Sequence, residues 1–173
     1  RPEVQDITDY LSDSLGLSQE AGTTSADIIA FCGVHFMAET ASIISPGKTV
    51  LIPAQHAGCS LAESLTGYEL REWKKANPDG IVVSYVNTTA EVKAWTDICC
   101  TSANALKVVE SLPQDKKILF VPDKNLGAWI QKKTGRQMEL WSGDCCVHEK
   151  ITTEMILAKS QEYPEADILI HPE

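Results

Sequence analysis

Six short apolar runs punctuate the chain: IIAFC (28–32), TVLIP (49–53), GIVVSYV (80–86), DICCT (97–101), KILFVP (117–122) and DILI (167–170). Their apolar positions are consecutive rather than alternate, the pattern of strands buried on both faces of a parallel sheet. Between them lie stretches with helical spacing: VQDITDYLSDSL (4–15), HFMAETASII (35–44), GYELREWKKA (67–76), TAEVKAW (89–95), SANALKVVESL (102–112), LGAWIQKKT (126–134) and TEMILAKSQEY (153–163). Small polar residues at several starts predict N-caps, Asn87-Thr88-Thr89 and Ser102 among them. Strand and helix alternate throughout. The pattern predicts an α/β protein.

An internal repeat refines this. KTVLIPAQHAGCSLA (48–62) resembles KILFVPDKNLGAWI (117–130), with Lys48 and Lys117, Pro53 and Pro122, and Gly58 and Gly127 each 69 positions apart. Upstream, ADIIAFC (26–32) pairs with TDICCTS (96–102), Asp27 and Asp97 lying 70 apart. Matches in one register predict repeated three-layer α/β/α lobes with short parallel sheets. The first lobe is expected over 1–79, lacking an opening strand, the second over 80–165, and the first strand of a third over 166–173. A start at Arg1 and an end just after an apolar strand read as a chain cut from something longer.

In such sheets ligands bind beyond the carboxyl ends of the strands. Those ends are polar here: Cys32 to His35, Gln55 to Ser60, Tyr85 to Asn87, Thr101 to Asn104, Asp123 to Asn125 and His171 to Glu173, with Ser14 expected after a helix. Any one of these is explained as an ordinary polar turn. Tyr85-Val86-Asn87 and His171-Pro172-Glu173 stand out as a pair. Tyr85 and His171 are 86 positions apart, as are Pro78 and Pro164. Lobes related by rotation would bring these ends to one central cavity.

Composition narrows the partners. Hydrophobic residues make up 43% of the 173, and the net charge is 15 − 24 = −9 without a basic block. That predicts a well-cored protein and argues against nucleic acid or an anionic membrane surface as partner. No apolar run approaches the roughly 20 residues of a bilayer span. Of the six cysteines, Cys99 and Cys100 lie inside a strand and Cys32 closes one, so packing explains them. Cys59 in AGCSL and Cys145 in WSGDCCVHE sit in turns, where a metal or cluster is possible. No CxxC spacing supports it. His35 and Glu39, four apart on a helix, read as a hydrogen-bonded pair.

The ordered series DSLGLS (13–18), FCGVHFMAETA (31–41), AGCSLA (57–62), VSYVNTTAEVKA (83–94), TSANA (101–105), PDKNLG (122–127), CCVHE (145–149) and HPE (171–173) resembles the motif series of quinolinate synthases. The resemblance spans essentially the whole chain; His56 and its neighbour Gln55 depart from it. It implies three α/β/α lobes about a pseudo-threefold axis and one [4Fe–4S] cluster with a cysteine ligand from each lobe. Cys59 is similar to the first-lobe ligand and Cys145 to the second, Cys146 occupying a non-ligand position and the third cysteine lying outside the chain. It implies condensation of iminosuccinate with dihydroxyacetone phosphate to quinolinate in NAD biosynthesis, with the cluster as Lewis acid. It also implies a functional link to an L-aspartate oxidase or dehydrogenase that supplies iminosuccinate, and a cytoplasmic setting.

By the same resemblance, Ser14 and Ser102 are similar to donors for substrate carboxylate. Tyr85, Val86, Asn87, His171, Pro172 and Glu173 are similar to the groups around the reacting centre. Tyr85 and His171 suit proton transfer and orientation, Glu173 suits a base or stabilisation of an iminium, and His148 positions substrate or cluster. A chain of this extent is expected to be inactive by itself. Two readings compete: an α/β module that binds a small anion or partner and uses its cysteines for packing, and an unrelated phosphate-handling enzyme. Neither GxGxxG nor GxxxxGK[ST] occurs to favour the latter.

Overall fold

The structure, a computed structural model, describes residues 2–173. It is an α/β protein with two parallel sheets. In the first, β1 (Ile28–Ala30) pairs with β2 (Thr49–Leu51), and Ile29 lies opposite Val50. Helices α2 (Ser14–Thr23) and α3 (His35–Ile44) cover one face, where Ala21, Phe31, Ala38 and Ala41 form a core with Leu17, Ile29 and Val50. The short α1 (Pro2–Gln5) precedes them. Ile28 and Leu51 remain 62% and 52% exposed, so the other face of this sheet is open among the described residues.

The second sheet has strand order β4-β3-β5-β6, from β3 (Ile81–Tyr85), β4 (Ile98–Cys100), β5 (Ile118–Val121) and β6 (Glu139–Leu140), all parallel. Side chains alternate between its faces, as the strand period requires. Val83, Tyr85, Ile118 and Phe120 pack with Ala105 and Val109 of α6 (Ala105–Glu110) and with Leu126 and Ile130 of α7 (Lys124–Thr134). Val82, Leu119 and Val121 pack on the opposite side with Leu70 and Trp73 of α4 (Gly67–Ala76) and Val92 of α5 (Ala90–Lys93). This is a three-layer α/β/α unit. Helix α4 lies on the first-lobe side of the boundary expected at 79/80, yet its apolar face belongs to the second sheet.

Several expectations change in detail. The helix expected over 4–15 does not form: the chain turns after α1, and Asp13 caps α2 by accepting from the Gly16 amide at 2.7 Å. Ile7 and Leu11, 83% and 69% exposed, find no surface against which an apolar stripe would be buried. Ser14 therefore opens a helix rather than following one. Ser102 does not cap α6; Asn104 holds the N-cap position, and its carbonyl oxygen accepts from the Thr101 amide at 2.7 Å. The segment 167–170 forms no strand, and Leu169 is 93% exposed. Cys32, just past β1, is exposed rather than packed, and so is Cys99, because alternate residues of the edge strand β4 point to opposite faces. Only Cys100 is buried. Helix α8 (Thr153–Glu162) buries no residue.

Candidate functional site

The carboxyl ends of the four strands of the second sheet all supply groups to a common region. β3 ends on Tyr85 and continues into Val86 and Asn87. The turn after β4 carries Ser102. β5 leads to Asp123, the N-cap of α7, and β6 leads to a turn with Cys145 and His148. That last turn is anchored to α7. Gly143 bridges to Asp123, its carbonyl accepts from the Lys124 amide at 2.8 Å, and the Lys124 ammonium reaches Asp144 at 2.8 Å and Glu149 at 3.0 Å. Both ends of the CCVHE segment are thus held by one cation.

Residues 171–173 close over these ends. The His171 Nε2 lies 2.9 Å from the Ser102 hydroxyl. The Glu173 amide donates to His171 Nδ1 at 3.3 Å, which assigns the ring proton to Nε2 and leaves the Ser102 O–H free to donate elsewhere. The Tyr85 phenol donates to Glu173 Oε2 at 3.3 Å. The same oxygen lies 3.5 Å from His171 Nδ1 and 4.0 Å from His148 Nδ1. The two imidazole centroids are 6.0 Å apart.

Burial sets the electrostatics. It pushes the Tyr85 phenol well above its ordinary range, and the Glu173 and Asp123 carboxylates push further, so Tyr85 is a proton donor. Burial also raises the Glu173 carboxyl, with the Asp123 charge adding to it and His148, His171 and the Tyr85 hydrogen bond opposing. Asp123 is raised by burial against the pull of the Leu126 and Asn125 amides. Three buried polar atoms here have no hydrogen-bond partner: Asn87 Oδ1, Asp123 Oδ2 and His148 Nδ1. Such atoms are costly when left unmet, on the order of 1–3 kcal/mol each, unless a ligand satisfies them.

A thiol, an imidazole and a carboxylate also meet. Ligand atoms of Cys145, His148 and Glu173 lie within 4.8 Å of one another, a donor set able to hold a metal. Cys59 is half-buried against the core cluster that contains Tyr85 and Val86, its amide donating to Glu63 Oε1 at 3.3 Å. None of the six cysteines is in a disulfide. Among the expected site residues, the hydrogen-bond and ion-pair network joins Tyr85, Ser102, His148, His171 and Glu173. Pro172 sits between its two members. Ser14 makes only a contact within its own helix, accepting through its carbonyl from the Ser18 hydroxyl. Asp123, within the polar strand end 123–125 but outside the expected site residues, also reaches the site through its charge on Tyr85 and Glu173.

The family model described as Quinolinate synthetase A protein matches residues 1–173. The chain belongs to this family. Relatives named quinolinate synthase include those of Pyrobaculum aerophilum, 55% identical over 172 residues, and of Desulforudis audaxviator, 56% identical over 173. The quinolinate synthase of Thermus thermophilus is 56% identical over 172 residues. These alignments cover 99–100% of this chain and 56–57% of each relative. The chain thus spans little more than half the length of the quinolinate synthases it matches. No helix of the described residues is long and apolar enough to cross a membrane.

Proposed function

We propose that the protein works as a quinolinate synthase, condensing iminosuccinate with dihydroxyacetone phosphate and releasing phosphate and two waters. The observation that carries this is the convergence of Tyr85, Ser102, His148, His171 and Glu173 at the strand ends, in a chain of this family. The reaction handles anionic substrates and several proton transfers, and the site offers groups for both.

In this reading Ser102, its hydroxyl proton freed by His171, donates to a substrate carboxylate. The orphaned Asn87 Oδ1 completes its hydrogen bonding on substrate, and His148 positions substrate or the cluster. Glu173, its carboxyl raised by burial, takes and returns a proton, and Tyr85 holds its Oε2 in place. Ser14, Val86 and Pro172 are assigned substrate contacts by family resemblance alone.

The residues present suit an iron–sulfur cluster. Cys59 and Cys145 are free, half-buried thiols in turns, and the unmet His148 nitrogen lies beside Cys145. When bound, a [4Fe–4S] centre with an open iron supplies a Lewis acid for a departing hydroxyl. The supply of iminosuccinate by an aspartate-oxidising enzyme, and a cytoplasmic setting, belong to the same proposal.

Quinolinate formation from the two substrates, followed anaerobically with the complete protein, is the test. Formation that is lost in C145A supports the reading. A folded, cluster-loaded protein that makes no quinolinate refutes it and favours the small-anion binding module.

A further inference from the structure

We propose that Lys93 is a positioning residue for the substrate-facing turn, holding Asn87 in place by bonding the backbone on both sides of it. The proposal rests on the reading of Tyr85 and Asn87 as substrate groups. Asn87 is the tip of a three-residue turn closed by the Thr88 amide donating to the Val86 carbonyl at 2.8 Å. Lys93, the last residue of α5, reaches back into that turn. Its ammonium donates to the Val86 carbonyl at 3.0 Å, to the Thr88 hydroxyl at 3.3 Å and to the Thr88 carbonyl. The two carbonyls belong to the residues flanking Asn87. Thr88 is fully buried and donates in turn to the Tyr85 carbonyl at 3.2 Å, so the same cation steadies the end of β3.

A lysine used only for solubility would extend into water. This one is half-buried, 5.7 Å from the centre of the Phe36 ring on α3, at a desolvation cost. Burial lowers its ammonium to about 8, while the charges of Cys99 on β4 and Glu39 on α3 act the other way. Glu39 completes the brace. Its Oε2 accepts from the Ala90 amide at 2.8 Å and fixes the start of the four-residue α5, which is too short to hold itself.

K93M, K93Q and K93R in the complete, cluster-loaded enzyme test the proposal. Charge-assisted bonds of this kind correspond to a change on the order of ten- to hundredfold. The expected result is a rise of that size in KM for K93M with kcat nearly unchanged, and recovery in K93R. Wild-type KM rises above about pH 8 as the ammonium loses its proton, whereas K93R stays flat. Amide exchange is the second readout: residues 86–90 exchange faster in K93M, and β5 does not. K93Q, which keeps a neutral donor for the buried carbonyls, takes the place of K93M if that variant does not fold. A folded neutral variant with KM within about twofold of wild type and unchanged exchange at 86–90 overturns the proposal. Wild-type enzyme that makes no quinolinate defeats the functional reading instead, and the exchange comparison still decides the role of Lys93.

Discussion

The most consequential contact at the scale of single residues joins Tyr85 to Glu173, across 88 positions of sequence. A buried phenol that keeps its proton donates to a buried carboxyl whose own proton affinity is raised, so Tyr85 orients Glu173 without giving up its proton to it. In the proposed reaction E173Q keeps the shape and removes the base, and Y85F removes the donor that holds it. Each is expected to lower quinolinate formation by about a hundredfold or more while the melting temperature moves little. Rates within about threefold of wild type would remove these residues from the reaction.

Cys100 gives a separate prediction about stability. Burial raises its thiol to about 12, with neighbouring Cys99 adding, whereas the unfolded thiol ionises near its ordinary 9.0. Between those values the unfolded chain binds fewer protons than the folded one, so stability is full below pH 9 and falls as pH climbs towards 12. The slope reaches about 1.4 kcal/mol per pH unit. Urea midpoints at pH 7 and 10.5 should drop more for wild type than for C100A. Equal drops would contradict the assignment.

Among the elements, the turn from β6 to His148 matters most. Gly143 sits where an added Cβ would come 2.4 Å from both the Pro122 carbonyl oxygen and the Ser64 hydroxyl. G143A must push this turn away from Pro122 and Ser64. A cost of about 1–3 kcal/mol in unfolding free energy is expected, and, in the proposed function, weakened cluster binding at Cys145. A variant as stable and as metal-competent as wild type would show that the turn tolerates displacement. Gly135 differs: its φ of 70° ends α7 in the left-handed region with nothing within 4 Å, so G135A costs backbone strain of about 1 kcal/mol without a clash.

Legibility in the sequence followed burial. Helices α3 and α4 occupy the predicted spans because their apolar stripes meet real cores, and α4 adds a capping box at Thr66 and Glu69. β3 and β5 were plain because both faces are covered. The 4–15 stretch has helical spacing with no core to receive it. β6 is two residues long with no apolar run, so pattern alone cannot find it. The apolar 167–170 run has no strand partner among the described residues. The site showed the same division. The meeting of Tyr85 with His171 and Glu173 is expected from the equal spacing of their predicted strand ends, Ser102 and His148 enter through the family motifs, and the individual hydrogen-bond partners are tertiary.

At the scale of the whole molecule, a three-layer unit carries the site and a smaller two-stranded unit packs beside it. α3 joins them through the bond from the Ala90 amide to Glu39, and the Trp141 indole donates to the Ser64 carbonyl at 3.0 Å. Cys59 comes from the loop between the two units and Cys145 from the far edge of the second sheet. In the proposed function both thiols ligate one iron–sulfur centre.

Anaerobic reconstitution of the complete protein and of its C59A, C145A and C99A variants measures this directly, through iron and sulfide bound per chain and the visible spectrum. The account predicts a [4Fe–4S] centre in wild type and C99A, and its loss in both C59A and C145A. A full complement of cluster in either of those two variants would contradict it.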